Sequence, residues 1–168
     1  DSYPCKSPTG MPFENLSHQE SLEKLVKMLD YDVLRKDQLK AREKGIYRGI
    51  GIATFIEVTN PGPAFYGVGG APISAQDGAT MRLDAKGNVI VETGVTEQGQ
   101  GAEAVIAQCA ASALGVSMDK IKVITGDTDV TPYGGGTWGS RAAGIGGEAT
   151  VQAGKALRSN IVEVAGVM

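Results

Sequence analysis

Val89-Ile90-Val91-Glu92-Thr93-Gly94-Val95-Thr96-Glu97-Gln98-Gly99-Gln100-Gly101 is the stretch on which the fold turns. Its first five residues are rich in β-branched side chains and read as a strand. The polar, glycine-bearing segment after them reads as a loop. From about Gly101 to Leu114 the period changes: Val105, Ile106, Cys109 and Ala113 share one helical face, and Gly115 supplies the stop. Lys120–Thr125 is a strand again, so strand, helix and strand form one βαβ crossover. Working backwards, Ala79–Asp84 pairs with Val89–Thr93 as a hairpin through Ala85-Lys86-Gly87-Asn88.

Further out the pattern stays mixed. Ser17 with Glu20 resembles a capping box, and Leu22, Leu25, Val26 and Leu29 follow at helical spacing. A second helix is expected from about Asp32 to Lys44, with Leu34, Leu39 and Ala41 inward and Gly45 as its stop. Ile46–Val58 alternates: Ile46, Ile50, Ile52, Ile56 and Val58 on one face, Gly49, Gly51 and Ala53 on the other. It reads as a long strand with something packed closely on its small face. Asn60–Ile73 is a glycine- and proline-rich loop. A second glycine-rich loop, Gly134–Gly147, leads into a last helix whose face is Ile145, Ala149, Gln152, Ala153, Ala156 and Leu157. The fold class is therefore mixed α/β (α+β): a helix pair, a β-hairpin and a βαβ unit, with two glycine-rich loops entering helices. Residues 1–16, with their prolines, form an extended arm; residues 17–168 form a partial domain.

Bulk properties narrow the function. The 168 residues are 42% hydrophobic and 21% charged, enough for a core. A net charge of −3 without a block of like charges gives no nucleic-acid footprint. No apolar run reaches the ~20 residues needed to cross a bilayer. The two cysteines, Cys5 and Cys109, exclude a disulfide framework and a CxxC metal or iron–sulfur site in this segment, and a reducing cytoplasm is the simpler setting. The chain opens on Asp1 and reads as part of a longer protein.

Two loops carry candidate chemistry. In Thr93–Gly101 the strand ends where ligands commonly bind in α/β folds. Gly99 and Gly101 permit close backbone approach, and amides at the helix start can hold an anion. Gln98 and Gln100 each offer a donor and an acceptor without charge, which suits a polar heterocycle. In Gly134–Gly147, Thr137 and Ser140 add hydroxyls and Arg141 a cation suited to phosphate; the amides form a potential anion nest. The plainer alternatives are an ordinary turn for the first loop, and close helix packing at Gly144, Gly146 and Gly147 for the second. Standard nucleotide fingerprints fail: Gly99-Gln100-Gly101-Ala102-Glu103-Ala104 has Ala where the third Gly belongs. Gly154-Lys155-Ala156 has Ala149 and Ala156 where a P-loop needs Gly and Ser/Thr.

The remaining polar residues have ordinary readings. His18, the lone histidine, sits at a helix start and serves no triad. Asp127 and Asp129 lack calcium-loop spacing and read as a turn. Helix-start capping explains Glu97 and Glu148, and Cys109 falls on an apolar helix face.

Thr96-Glu97-Gln98-Gly99-Gln100-Gly101, Ala107-Gln108, Ala113-Leu114-Gly115-Val116, Ile121-Lys122-Val123, Gly126-Asp127-Thr128, Pro132, Gly136-Thr137-Trp138-Gly139-Ser140-Arg141 and Gly146-Gly147 follow in order. Upstream stand Tyr31-Asp32, Arg35, Gln38, Ala41-Arg42 and Gly45-Ile46-Tyr47-Arg48-Gly49-Ile50-Gly51. This series resembles the large subunit of the xanthine dehydrogenase, aldehyde oxidase and carbon monoxide dehydrogenase family, the molybdenum hydroxylases. The resemblance implies molybdenum held by a molybdopterin, usually the cytosine dinucleotide in bacteria. It implies that Gln98, Gly99, Gln100 and Gly101 form one cofactor contact and Thr137, Gly139, Ser140 and Arg141 another, with Gly139 and Ser140 near the metal. It implies oxidation or hydroxylation of a small molecule with oxygen from water, and iron–sulfur and FAD groups on partner domains or subunits. The family's catalytic glutamate lies in a motif outside these residues, so no catalytic or metal-ligating residue is assigned and the segment alone is expected to be inactive. A binding module for another phosphorylated ligand, or a purely structural piece, are the competing expectations.

Overall fold

The computed structural model describes residues 3–8, 10–62, 65–66 and 73–168. In chain order the elements are β1 (Cys5–Lys6), β2 (Pro12–Phe13), α1 (His18–Met28), α2 (Tyr31–Glu43), β3 (Ala79–Leu83), β4 (Val89–Thr93), α3 (Ala102–Leu114), β5 (Ile121–Ile124) and α4 (Gly147–Val167). They divide into two units, Asp1–Ile56 and Glu57–Met168.

The second unit is built on a sheet of order β3-β4-β5. β3 runs antiparallel to β4, with Met81 opposite Val91. β4 and β5 are parallel, with Val89 opposite Ile121 and Val91 opposite Val123. The hairpin and the βαβ crossover expected from the sequence are both present. β4 is central because its alternation suits one buried face: Val89, Val91 and Thr93 are all buried. Ile106 and Ala110 of α3 lie on that face, ringed by Met81, Leu114, Ile121, Val123 and Leu157. Small residues let α4 close on α3; a Cβ at Gly154 would stand 2.7 Å from that of Ala113. Gly115 ends α3 at φ +76°, the left-handed stop expected of it. In the hairpin turn, Asp84 accepts the N–H groups of Lys86 and Asn88, each at 2.8 Å. Its carboxyl is held below its ordinary range, chiefly by the Asn88 N–H.

Several expectations are corrected here. Residues 46–58 join no strand ladder among the described residues. Ile46, Ile50, Ile52 and Ile56 are exposed, and nothing lies within 4 Å of where a Cβ on Gly49 or Gly51 would sit. Alternation marks a face fit for burial, but a strand also needs a neighbour to take its backbone bonds. In α2 the buried residue is Gln38, while Leu34 and Leu39 are exposed. Gln38 accepts from Arg35 and donates to the carbonyl of Arg48, which ties the following segment to the helix. Ser17 makes no side-chain capping bond to α1. The loop before α4 ends in a π-helical turn, Ala142–Gly146, and Gln152 and Ala156 are exposed on α4. Most of the expected 60–73 loop (63–64 and 67–72) lies outside the described residues.

In the first unit, β1 and β2 form a two-residue ladder, with Cys5 opposite Phe13. Gly45, at φ +72°, closes α2 with its N–H on the Arg42 carbonyl. No described helix is long and apolar enough to cross a membrane.

Candidate functional site

The two glycine-rich loops meet at the carboxyl end of β4. Thr96 N–H donates to the Thr137 hydroxyl at 2.9 Å, and that hydroxyl donates back to the Thr96 carbonyl at 2.8 Å. Gln98 Nε2 donates to the Thr137 carbonyl at 3.0 Å. Beneath this lacing the backbones of Gly94 and Gly134 touch, so that a Cβ on either would overlap the other's main chain. Glycine is the one residue that permits this approach. Gly78 N–H on the Tyr133 carbonyl, at 2.8 Å, ties the same loop to the start of β3.

The first loop is preset by Glu97. One carboxylate oxygen accepts the N–H groups of Gln98, Gly99 and Gly101 at 3.1, 2.7 and 3.0 Å, and the other accepts that of Glu103 at 3.0 Å. These bonds, the Glu103 N–H foremost, hold its carboxyl below the ordinary range. Two of the amides at the start of α3, those of Gly101 and Glu103, are thus already taken by this side chain. Gln100 Oε1 accepts the Gln98 N–H at 2.7 Å and steadies the turn. Gly99 and Gly101 have positive φ, and nothing lies within 4 Å of where their Cβ atoms would be. Their faces are open.

In the second loop Gly139 and Ser140 are both left-handed, at φ +55° and +52°. A serine in that region is uncommon and persists only where its surroundings hold it. Here Asn60 N–H donates to the Gly139 carbonyl at 3.0 Å, and the Ser140 hydroxyl donates to the Glu57 carboxylate. Between the loops lies a cleft of about 210 Å³ lined by Gln100, Ala102, Val105, Ser140, Ala142 and Ala143. Neutral amide, hydroxyl and small apolar groups line it, a surface for an uncharged polar edge.

Arg141 is directed away from solvent. Its side chain is fully buried, with Nη2 3.2 Å from Asp77 Oδ2, itself fully buried. The guanidinium carbon lies 5.5 Å from the ring centre of Tyr66 and 5.6 Å from that of Trp138.

A family model described as the molybdopterin cofactor-binding domain matches residues 24–168. The chain belongs to this family. It is 36% identical over 166 residues to the nicotine 6-hydroxylase large subunit of Paenarthrobacter nicotinovorans, covering 99% of this chain and 20% of that one. It is 32% identical to the carbon monoxide dehydrogenase large chain of Afipia carboxidovorans, over 100% of this chain and 21% of that one. The solved quinoline 2-oxidoreductase of Pseudomonas putida 86 superposes with a TM-score of 0.62 at 33% identity, over 93% of this chain and 20% of that one. The chain thus spans about a fifth of the length of these relatives.

Within this molybdopterin-binding domain, the fold gathers most of the residues expected from the sequence. Gln98, Gly99, Gln100 and Ser140 are exposed, Gly101, Thr137 and Gly139 half-buried, and Arg141 buried. Gln100 and Ser140 share the cleft, while Thr137 is the joint between the loops. Sequence reasoning missed Asp77, Tyr66 and Asn60. Asp77 in Gln76-Asp77-Gly78 looks like a turn residue, and nothing local marks its partner. The glycines also separate. Gly94, Gly134 and Gly146 serve close packing, the last against Val95, whereas Gly99 and Gly101 face open space.

Proposed function

We propose that this chain forms part of the wall of a molybdopterin site in a molybdenum hydroxylase that oxidises or hydroxylates a small molecule with water as oxygen source. The observation that carries the reading is the reciprocal Thr96–Thr137 pair, which brings two glycine-rich loops to one cleft. The donor set suits the group. A pterin edge carries alternating donors and acceptors; the Gln98 and Gln100 amides carry both kinds, and the Ser140 hydroxyl, whose hydrogen goes to Glu57, leaves an acceptor. The open faces of Gly99 and Gly101 let a flat, bulky ligand approach the main chain. When bound, the cofactor supplies the redox chemistry. The residues here bind and orient: Gln98 through Gly101 on one side, Gly139 and Ser140 on the other, with Thr137 holding the two together. A module that grips another phosphorylated ligand would use the same two loops; the match of residues 24–168 to the molybdopterin cofactor-binding domain favours the pterin reading.

The cofactor is proposed to be the cytosine dinucleotide form. Iron–sulfur and FAD groups on partner domains or subunits would carry electrons away, and the setting is the cytoplasm. The catalytic glutamate is assigned to a region outside these residues, so the 168 residues assayed alone turn over no substrate. The test is molybdenum and pterin content after maturation in a host that makes the cofactor, wild type beside Gln100→Ala. Removing a group that orients a ligand costs about 10- to 100-fold in affinity, so the variant should retain clearly less of both. A folded, matured wild type holding neither molybdenum nor pterin would overturn the reading.

A further inference from the structure

We propose that Asp77 and Arg141 are a positioning pair for the cofactor cleft, with the adjoining rings of Tyr66 and Trp138 packed against the guanidinium. The inference rests on the cofactor reading above and changes the role of Arg141: it grips the protein, not a phosphate.

Five observations converge. Asp77 does two tasks with two oxygens: Oδ1 accepts the Gly135 N–H at 2.7 Å, and Oδ2 lies 3.2 Å from Arg141 Nη2. One carboxylate therefore fixes both ends of the second loop, before and after Thr137. Arg141 Nη2 also reaches the Gln76 carbonyl at 3.3 Å. Nε and Nη1 have no hydrogen-bond partner among the described residues, and the neighbouring rings of Tyr66 and Trp138, which also touch each other edge to face, offset part of that cost. Trp138 in turn donates its Nε1 hydrogen to the Gly135 carbonyl at 2.9 Å. Finally, Gly135 has no side chain where a Cβ would overlap the guanidinium. Lysine keeps the charge but not the planar, multi-donor head that reaches Asp77 and Gln76 while packing on the rings.

A buried ion pair is weak as a source of stability, since desolvation offsets attraction. Its geometric strictness is the better account: the pair, the rings and the Gly135 amide allow the loop one path. That path sets Thr137 against Thr96 and turns Ser140 into the cleft.

The test compares Asp77→Asn, Arg141→Lys and Ile106→Val with wild type, all matured with cofactor. Melting temperature and pterin per folded chain are read for each. Asp77→Asn keeps an acceptor for Gly135 but removes the charge and turns an N–H donor group toward Arg141. Ile106→Val weakens the core over β4 without touching the Asp77–Arg141 pair. Expected is a fall of about tenfold or more in retained pterin for the two pair variants, as for other groups that orient ligands, with wild-type content in Ile106→Val. If Asp77→Asn does not fold, Arg141→Lys decides. Wild-type pterin in the pair variants overturns the proposal and leaves the cofactor reading standing. Pterin that falls in all three variants in step with melting temperature overturns it as well, since the pair is then merely structural. A folded wild type without pterin removes the cofactor reading and this proposal together.

Discussion

Glu97 gathers four backbone N–H groups on one carboxylate, so the shape of the first loop depends on its ionisation. The carboxyl titrates lower in the folded chain than its ordinary 4.5. The sign follows: its contribution to stability is complete above 4.5 and is lost as pH falls through the lowered folded value. Glu97→Gln should be less stable than wild type at neutral pH and lose less on acidification. Urea unfolding of both at neutral pH and near pH 3 checks this, and parallel losses would contradict it. At this scale the sequence was half legible. Gln98, Gln100 and Ser140 are polar residues beside glycines at a strand end, a local signal with a local meaning. Arg141 carried the same kind of signal and has a different role, because its partner Asp77 is remote in sequence and only the fold brings them together.

At the scale of elements, legibility followed the backbone's partners. Residues 89–93 and 46–58 both alternate. The first has a neighbour on each side and a helix over its buried face, so pattern and ladder agree. The second has no ladder among the described residues, and its isoleucines stay exposed. The two therefore answer mutation differently. Ile106→Ala, at 1% exposure over β4, should cost about 2–5 kcal/mol. Ile52→Ser, at 48% exposure, should stay within about 0.5 kcal/mol. Unfolding midpoints separate the two, and equal losses would mean that 46–58 is buried after all. The π-turn at Ala142–Gly146 left no sequence signal; Gly146 within it backs onto Val95, a contact between distant segments.

At the scale of the molecule, burial is uneven. Every fully buried apolar side chain among the described residues lies in Glu57–Met168; in Asp1–Ile56 the buried residue is Gln38. Protection of amides from exchange follows buried contacts and shielded hydrogen bonds. Hydrogen exchange of the 168-residue chain should find the amides of β4 and α3 slowest and those of 46–56 fast. Equal protection across both units would show a core in the first that burial does not. From β3 to α4 the order of elements was legible because the hairpin and crossover are local in sequence.

Trp138 is the single tryptophan of the chain, and it stands against Arg141 with its indole N–H on Gly135. The molecule thus carries its own optical label at the joint of the second loop. Emission excited selectively in the indole comes from one known place, and its wavelength and quenching by added iodide report whether that joint is closed, with no dye or second label to interpret.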